Sequence, residues 1–137
     1  MHVIGPGGVS FGGVVLPGVS WVRVEEKSVG LVEEWGDDGP HQVVCQSVRR
    51  RVVASVEQPL EGLEEGGVPP LRVGRVGELV VRVGGSRADG MEGVVRVAGA
   101  VVVEVRYEVG HGERSRRVTV MVGVSVDGAS DPVSVVV

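Results

Sequence analysis

Charged side chains are the residues of this chain whose types and spacing could do chemistry, and they fall into two groups. One group is acidic and lies within residues 25–38: Glu25, Glu26, Glu33, Glu34, Asp37 and Asp38. The other is basic and consists of three consecutive residues, Arg49, Arg50 and Arg51. A calcium loop needs alternating oxygen ligands closed by a bidentate Glu, and the acidic stretch lacks that pattern. Charges separated in this way instead favour a contact between protein surfaces.

The other reactive residue types form no pattern of a catalytic, metal or cofactor site. His2, His41 and His111 do not pair at metal-ligand spacing, and Cys45 alone supplies no thiolate cluster. The glycine-rich start, residues 5–8, lacks the Lys-Ser/Thr of a phosphate-binding loop. No serine lies in a nucleophile elbow. We therefore expect no enzymatic activity, no bound metal and no cofactor.

Composition also argues against nucleic-acid recognition and membrane insertion. The net charge is −4, whereas duplex binding requires clustered positive charge. The four aromatic residues are too few for a platform on which bases stack. No apolar run approaches the roughly 20 residues that span a bilayer, and the N-terminus has no basic signal-peptide region. We expect a soluble chain that is made in the cytoplasm.

The elements that carry these charges are predicted to be strands. The 137 residues include 38 valines and 23 glycines, and valine favours strands while glycine weakens helices. Alternating patterns predict strands over 19–24, 42–57, 78–84, 93–98, 100–109, 116–126 and 133–137. The segment 42–57 is either one long bent strand or two, and 100–109 with 116–126 forms a hairpin. The prediction is one all-β, mainly antiparallel domain over 1–137, a barrel or sandwich of about 7–8 strands.

Two segments are predicted to be long loops because they lack strand patterns. They cover about 25–41, which is acidic and ends in turn residues, and about 58–77, which holds three prolines. Helical character is weak and limited to 60–65 and 86–92, so at most one short helix is expected. Loops of this length in a compact domain are usually functional or disordered.

Two predicted strands show valines on every second position. Val101, Val103, Val105, Tyr107 and Val109 share one face of 100–109, and Val118, Val120, Val122, Val124 and Val126 form an unbroken stripe. Neither 118–126 nor 133–137 carries a charged side chain. Uncharged strand edges need cover, and we expect neighbouring subunits to supply it.

The two charged groups suggest how subunits would meet. A basic patch at Arg49, Arg50 and Arg51 facing the acidic loop of the next subunit would steer and align a head-to-tail contact. An intramolecular or solvated arrangement of the same charges is equally compatible with the sequence.

The order of these features resembles the tail tube proteins of tailed bacteriophages and phage-derived particles. The phrases that carry the resemblance are VRVEEKS, WGDDGPH and SVDGASDPVSV, together with the long Val/Arg strands and a connector rich in Pro and Leu. The resemblance extends from about Val9 to Val137 and is one of layout rather than of a signature motif.

The resemblance implies a β-barrel or sandwich of the fold shared with the type VI secretion tube protein. Such subunits form hexameric rings that stack into a hollow tube, and the loop at the position of 25–41 reaches the adjacent ring. DNA would pass through the lumen without specific binding. The chain would then be a virion structural protein, assembled in the bacterial host cytoplasm, whose partners are itself and other tail proteins.

Two other functions are compatible with the sequence. One is a different tail component, such as a tail terminator, a distal tail protein or a baseplate ring. The other is a β-sandwich module that binds a glycan or a protein, for which Trp21, Trp35 and Tyr107 are the available aromatic side chains.

Overall fold

The structure, a computed structural model, describes residues 2–60, 71–84, 93–110 and 115–136. Nine strands and no helix occur within these ranges. They are β1 (His2–Ile4), β2 (Gly8–Phe11), β3 (Val14–Val15), β4 (Trp21–Trp35), β5 (Gln42–Pro59), β6 (Val76–Val83), β7 (Gly93–Glu108), β8 (Arg116–Gly123) and β9 (Val133–Val136). The predicted all-β fold class is therefore confirmed.

All strand pairs are antiparallel and belong to one sheet. The strand order is β1-β4-β5-β8-β7-β6-β2-β3, and β9 pairs with β7. Val22 of β4 and Phe11 of β2 lie far apart in this order, yet both belong to the same buried core cluster. The sheet must therefore curl so that one of its faces encloses the core.

Several predicted boundaries change in the structure. The segment 42–57 is one continuous strand, and 93–98 and 100–109 merge into β7. The hairpin between 100–109 and 116–126 is confirmed by the β7–β8 pairing. The candidate helices at 60–65 and 86–92 lie outside the described residues, apart from Leu60, which follows β5.

The long loop predicted for 25–41 is wrong over most of its length. β4 continues to Trp35, and only residues 36–41 form the connection to β5. The acidic residues obscured the strand because both faces of this segment are exposed to solvent, so no apolar alternation marks it. The loop predicted for 58–77 is shorter at both ends, since β5 reaches Pro59 and β6 starts at Val76.

An irregularity in β7 divides the predicted valine face of 100–109. The register shifts between Val102 and Glu104, because one residue is inserted there. Before it, Ala100 and Val102 are buried in the core; after it, Val105 packs against the core. Val101 and Val105 consequently lie on opposite faces, and the prediction of one continuous face is wrong.

The valine stripe of 116–126 lies on the outer face of the sheet rather than in the core. Met121 is fully buried in the core cluster, and Thr119, two residues away on the same face, is also fully buried. Val118, Val120 and Val122 alternate with these residues and are absent from the core cluster, although Val118 is itself buried, with 4% of its surface exposed. The most regular apolar pattern in the sequence therefore marks an outward face.

Candidate subunit interface

The outer halves of β4 and β5 form a two-stranded hairpin that leaves the rest of the sheet. β5 pairs with β8 only as far as Val52, which lies opposite Gly123. Beyond this point β4 and β5 pair only with each other in the described part of the chain, as far as Trp35 and Gln42. We call residues 26–51 the arm. At about 3.3 Å per residue the ten strand residues Glu26–Trp35 span roughly 30 Å.

The arm exposes apolar surface on a framework that is weak in isolation. All of its described side chains are exposed. They include six large apolar ones: Val29, Leu31, Val32, Trp35, Val43 and Val44. An isolated two-stranded hairpin is at best marginally stable in water, and the apolar side chains lie on both of its faces, Val29 and Leu31 on one and Val32 and Val44 on the other. The arm therefore has the character of an element that packs against another molecule.

A glycine in the middle of the arm sets its local shape. Gly30 has φ +73°, a conformation that residues with a Cβ adopt only at a cost. Close to it, the hydroxyl oxygens of Ser28 and Ser47 are hydrogen-bonded at 2.6 Å across the two strands. The conformation of Gly30 and the hydrogen bond between Ser28 and Ser47 define the backbone in the middle of the arm. No arm residue belongs to the described core cluster, so core packing does not stabilise this part of the hairpin.

The structure places the predicted acidic residues at the two ends of the arm. Glu33 and Glu34 lie on the outer part of β4, and Asp37 and Asp38 lie in the connection to β5. We call these four carboxylates the acidic tip. Glu25 and Glu26 lie at the base instead, where each contacts a cation: Glu25 Oε2 is 3.4 Å from Lys27 Nζ, and Glu26 Oε1 is 3.6 Å from Arg50 Nε.

The three consecutive arginines do not form one patch, because neighbouring residues of a strand lie on opposite faces of the sheet. Arg51 lies directly opposite Lys27 in the β4–β5 ladder, on the same face of the sheet. Arg50 points to the other face, where Glu26 is its partner. Arg49 and Arg50 both line a cleft at the base of the arm.

That cleft has a volume of about 650 Å³ and separates the arm from the loop that follows β8. Its loop side includes Ser125, Ala129 and Asp131. Asp127 organises this loop, because its carboxylate accepts hydrogen bonds from Ser125 Oγ, Ser130 Oγ and the backbone N–H groups of Ala129 and Ser130. These bonds, led by the Ser130 N–H, hold the pKa of Asp127 well below its usual range.

The acidic tip and the arginines cannot neutralise each other within one chain. Glu34 lies opposite Val44, six residues along β5 from Arg50, which corresponds to roughly 20 Å in a strand. Such a separation exceeds the screening length of physiological salt, roughly 8 Å. Among the ion pairs of the described residues, only Glu26–Arg50 joins the two predicted groups, so the tip is available to another molecule.

A second group of charges, not singled out from the sequence, lies at the far end of β5. Arg116 bridges Glu57 and Glu108, with its Nη1 3.1 Å from Glu57 Oε1. The hydrogen bond from Arg116 lowers the pKa of Glu108 and raises that of Arg116. Arg116 thus forms ion pairs with carboxylates of two neighbouring strands, Glu57 on β5 and Glu108 on β7.

Among the described residues no group of three or more His, Cys, Asp or Glu side chains could hold a metal ion. The part of the chain that the structure describes also contains no helix long and apolar enough to cross a membrane. Cys45 is exposed on the arm and forms no disulfide.

Comparisons with known proteins give no independent identification. No protein-family model matches this chain, and no curated protein matches it. The resemblance to tail tube proteins therefore stays a prediction from the sequence layout.

Proposed function

We propose that the chain is a structural subunit of a phage-type tail tube, which assembles into stacked rings around a hollow channel. The observation that carries the proposal is the arm, a hairpin roughly 30 Å long whose described side chains are all exposed. An element of this kind contributes little to the stability of its own chain. Its stabilisation comes from contact with a neighbour.

The charge layout supports a head-to-tail contact between copies. The acidic tip lies at one end of the arm, and Lys27 and the arginines lie at the other. When the tip of one copy meets the base of the next, two different surfaces are in contact. The first copy then keeps a free base and the second a free tip, so further copies can add at both ends. Heterologous contacts of this type build closed rings or open helical assemblies.

The proposed channel would let DNA pass without holding it. The chain carries a net charge of −4, and phosphate backbones bind where lysine and arginine neutralise them. Lys27 and Arg51, which face the same side of the arm base, would be occupied by the acidic tips of neighbouring subunits. The remaining surface has an acidic excess, which repels phosphate. The partners proposed are further copies of this chain and other tail proteins in the virion.

An armless variant tests the proposal. Lys27 and Arg51 lie directly opposite each other, so residues 28–50 can be replaced by an Asn-Gly turn that closes the shortened hairpin. The expected product is a folded monomer in sedimentation velocity, with thermal unfolding close to that of the full chain. Assembly of this variant into the same particles as the full chain would refute the role of the arm.

A charge-reversed variant tests the same contact with the arm intact, and a reversal of exposed arginines elsewhere is its control. Changing Arg49, Arg50 and Arg51 to Glu should also leave a folded monomer, while the reversal of Arg72 and Arg75, which are exposed outside the arm, should leave assembly unchanged. Monomers of the unchanged chain at high concentration would contradict the proposed function itself.

A further inference from the structure

We infer that the outer face of the sheet, next to the base of the arm, receives the arm of a second copy. The inference rests on the proposed function and names the surface by which that function would be carried out. Its components are a row of valines that crosses the sheet and a basic corner beside it.

The row consists of residues that lie directly opposite one another across four neighbouring strands. Val53 pairs with Val122, Val122 with Val101, and Val101 with Val76. Directly opposed residues of an antiparallel sheet project from the same face. The four valines therefore form one continuous apolar line across β5, β8, β7 and β6.

None of the four belongs to the core or packs against it. Val53, Val101 and Val122 are half-buried, and Val76 is 66% exposed. Val120 continues the apolar surface on the next row, where it lies between Ser55 and Glu104. Within the described ranges, then, this side of the sheet presents valines that contribute nothing to the interior of their own chain.

The basic corner adjoins the row at its β4–β5 end. Glu25 lies opposite Val53, and the neighbouring positions on the same face are Arg23, Lys27 and Arg51. Glu25 contacts both Arg23 at 4.0 Å and Lys27 at 3.4 Å. Arg51 has no ion pair with Glu25 among the described residues, so this face of the corner carries three cations and one carboxylate and keeps an excess of positive charge.

The arm of a second copy matches both parts of this surface. Its apolar side chains, such as Leu31 and Trp35, are exposed and suited to the valine row. Its four tip carboxylates suit the corner with its excess of cations. The arm of the same chain cannot reach, because it leads away from the face as a continuation of β4 and β5.

A charge introduced into the valine row at Val76 tests the inference. The chain should still fold, because Val76 is exposed and does not belong to the core. Val76→Glu is made beside Val15→Glu, since Val15 is equally exposed, at 68%, but lies on β3, which is not one of the four strands of the row. We expect Val76→Glu to raise the concentration needed for assembly by more than about tenfold and Val15→Glu to leave it unchanged. An equal loss in both variants would overturn the inference.

A neighbouring pair of arginines provides a second matched comparison. Arg51→Gln removes a charge from the outer face, and Arg50→Gln removes the same charge from the opposite face. The expected rise in assembly concentration is about two- to fivefold for Arg51→Gln, with little change for Arg50→Gln. Equal effects would contradict the assignment to the outer face.

Fluorescence of Trp35 separates the failure of this inference from that of the proposed function. In a Trp21→Phe background, Trp35 is the remaining tryptophan, and its emission should shift to the blue on assembly and do so far less in Val76→Glu. If the parent assembles and Val76→Glu assembles equally with the same shift, this inference is wrong while the proposed function stands. If the parent does not assemble, both fail.

Discussion

Lys27 and Arg51 lie directly opposite each other in the β4–β5 ladder, so two positive charges face the same side of the sheet. Like charges in such cross-strand pairs destabilise a sheet. Glu25 contacts Lys27 at 3.4 Å but does not contact Arg51 within salt-bridge distance. This unfavourable pair at the base of the arm is explained if an acidic segment of another copy binds there.

Replacing Arg51 by Thr should affect stability and assembly in opposite directions. The free energy of unfolding of the isolated chain should stay constant or rise by about 0.2–1 kcal/mol, because the like-charge pair is removed and Thr suits a strand. Assembly should require a higher concentration. Thermal unfolding at low concentration and sedimentation at high concentration measure the two quantities; a less stable chain that assembles better would contradict this interpretation of the pair.

Replacing Gly30 by Ala should destabilise the arm while leaving the body of the sheet intact. Gly30 has φ +73°, and placing a Cβ in that conformation costs about 1–2 kcal/mol. Because the arm has no core contacts, amide hydrogen exchange should accelerate in β4 and β5 beyond Lys27 and Arg51, with exchange in β8 unchanged. Gly39→Ala is the control, since Gly39 lies in the connection between β4 and β5 with a negative φ and open space around it. Equal exchange in both variants would count against the special role of Gly30.

Replacing Thr119 by Val should stabilise the chain. Thr119 is fully buried, and its Oγ1 has no hydrogen-bond partner among the described residues, so an isosteric methyl removes a desolvated hydroxyl worth about 1–3 kcal/mol. The reverse change on the opposing residue, Val56→Thr, buries a new hydroxyl and should destabilise by a similar amount. Both are measured by denaturant unfolding of the monomer. A destabilised Thr119→Val would show that the hydroxyl has a partner after all.

Asp127 should remain ionised in acid that protonates ordinary carboxyl groups. Its pKa is lowered by four hydrogen bonds in the loop after β8. The pKa of Asp127 is lower in the folded chain than in the unfolded chain, where it has its ordinary value of 3.8. The ionised carboxylate therefore stabilises the folded state fully at pH values above 3.8, and this stabilisation is lost as the pH falls through the pKa of the folded state. Carboxyl-carbon NMR should show this, and Ser130→Ala, which removes one of the bonds, should move the titration partway to normal. An ordinary titration of Asp127 in the parent would contradict the loop geometry.

The alternating pattern of the sequence predicts the strands well where one face is buried. Val52, Ala54 and Val56 alternate with more exposed residues, and β5 is found where this pattern predicts it. The same reasoning fails for the arm, because a strand exposed on both faces needs no alternation. Polar and apolar residues are mixed without alternation over residues 25–35, and for that reason the sequence predicts a loop there.

An alternating apolar pattern predicts a strand, but it does not specify which face of the sheet the apolar residues occupy. Val118, Val120 and Val122 are the most regular apolar series in the chain, yet Thr119 and Met121 occupy the interior. The irregularity after Val102 likewise reverses the faces of β7. Both assignments depend on which neighbouring strand pairs with which residue, a long-range property that local spacing does not specify. The position of Lys27 opposite Arg51 follows from the same pairing.

Electron microscopy of the purified 137-residue chain across a series of concentrations tests the central claim most directly. The account predicts ring-shaped particles that stack into hollow tubes as the concentration rises. Single closed rings that never stack would favour another tail component. Dispersed monomers at the highest concentration would contradict the claim that this chain is built to assemble with itself.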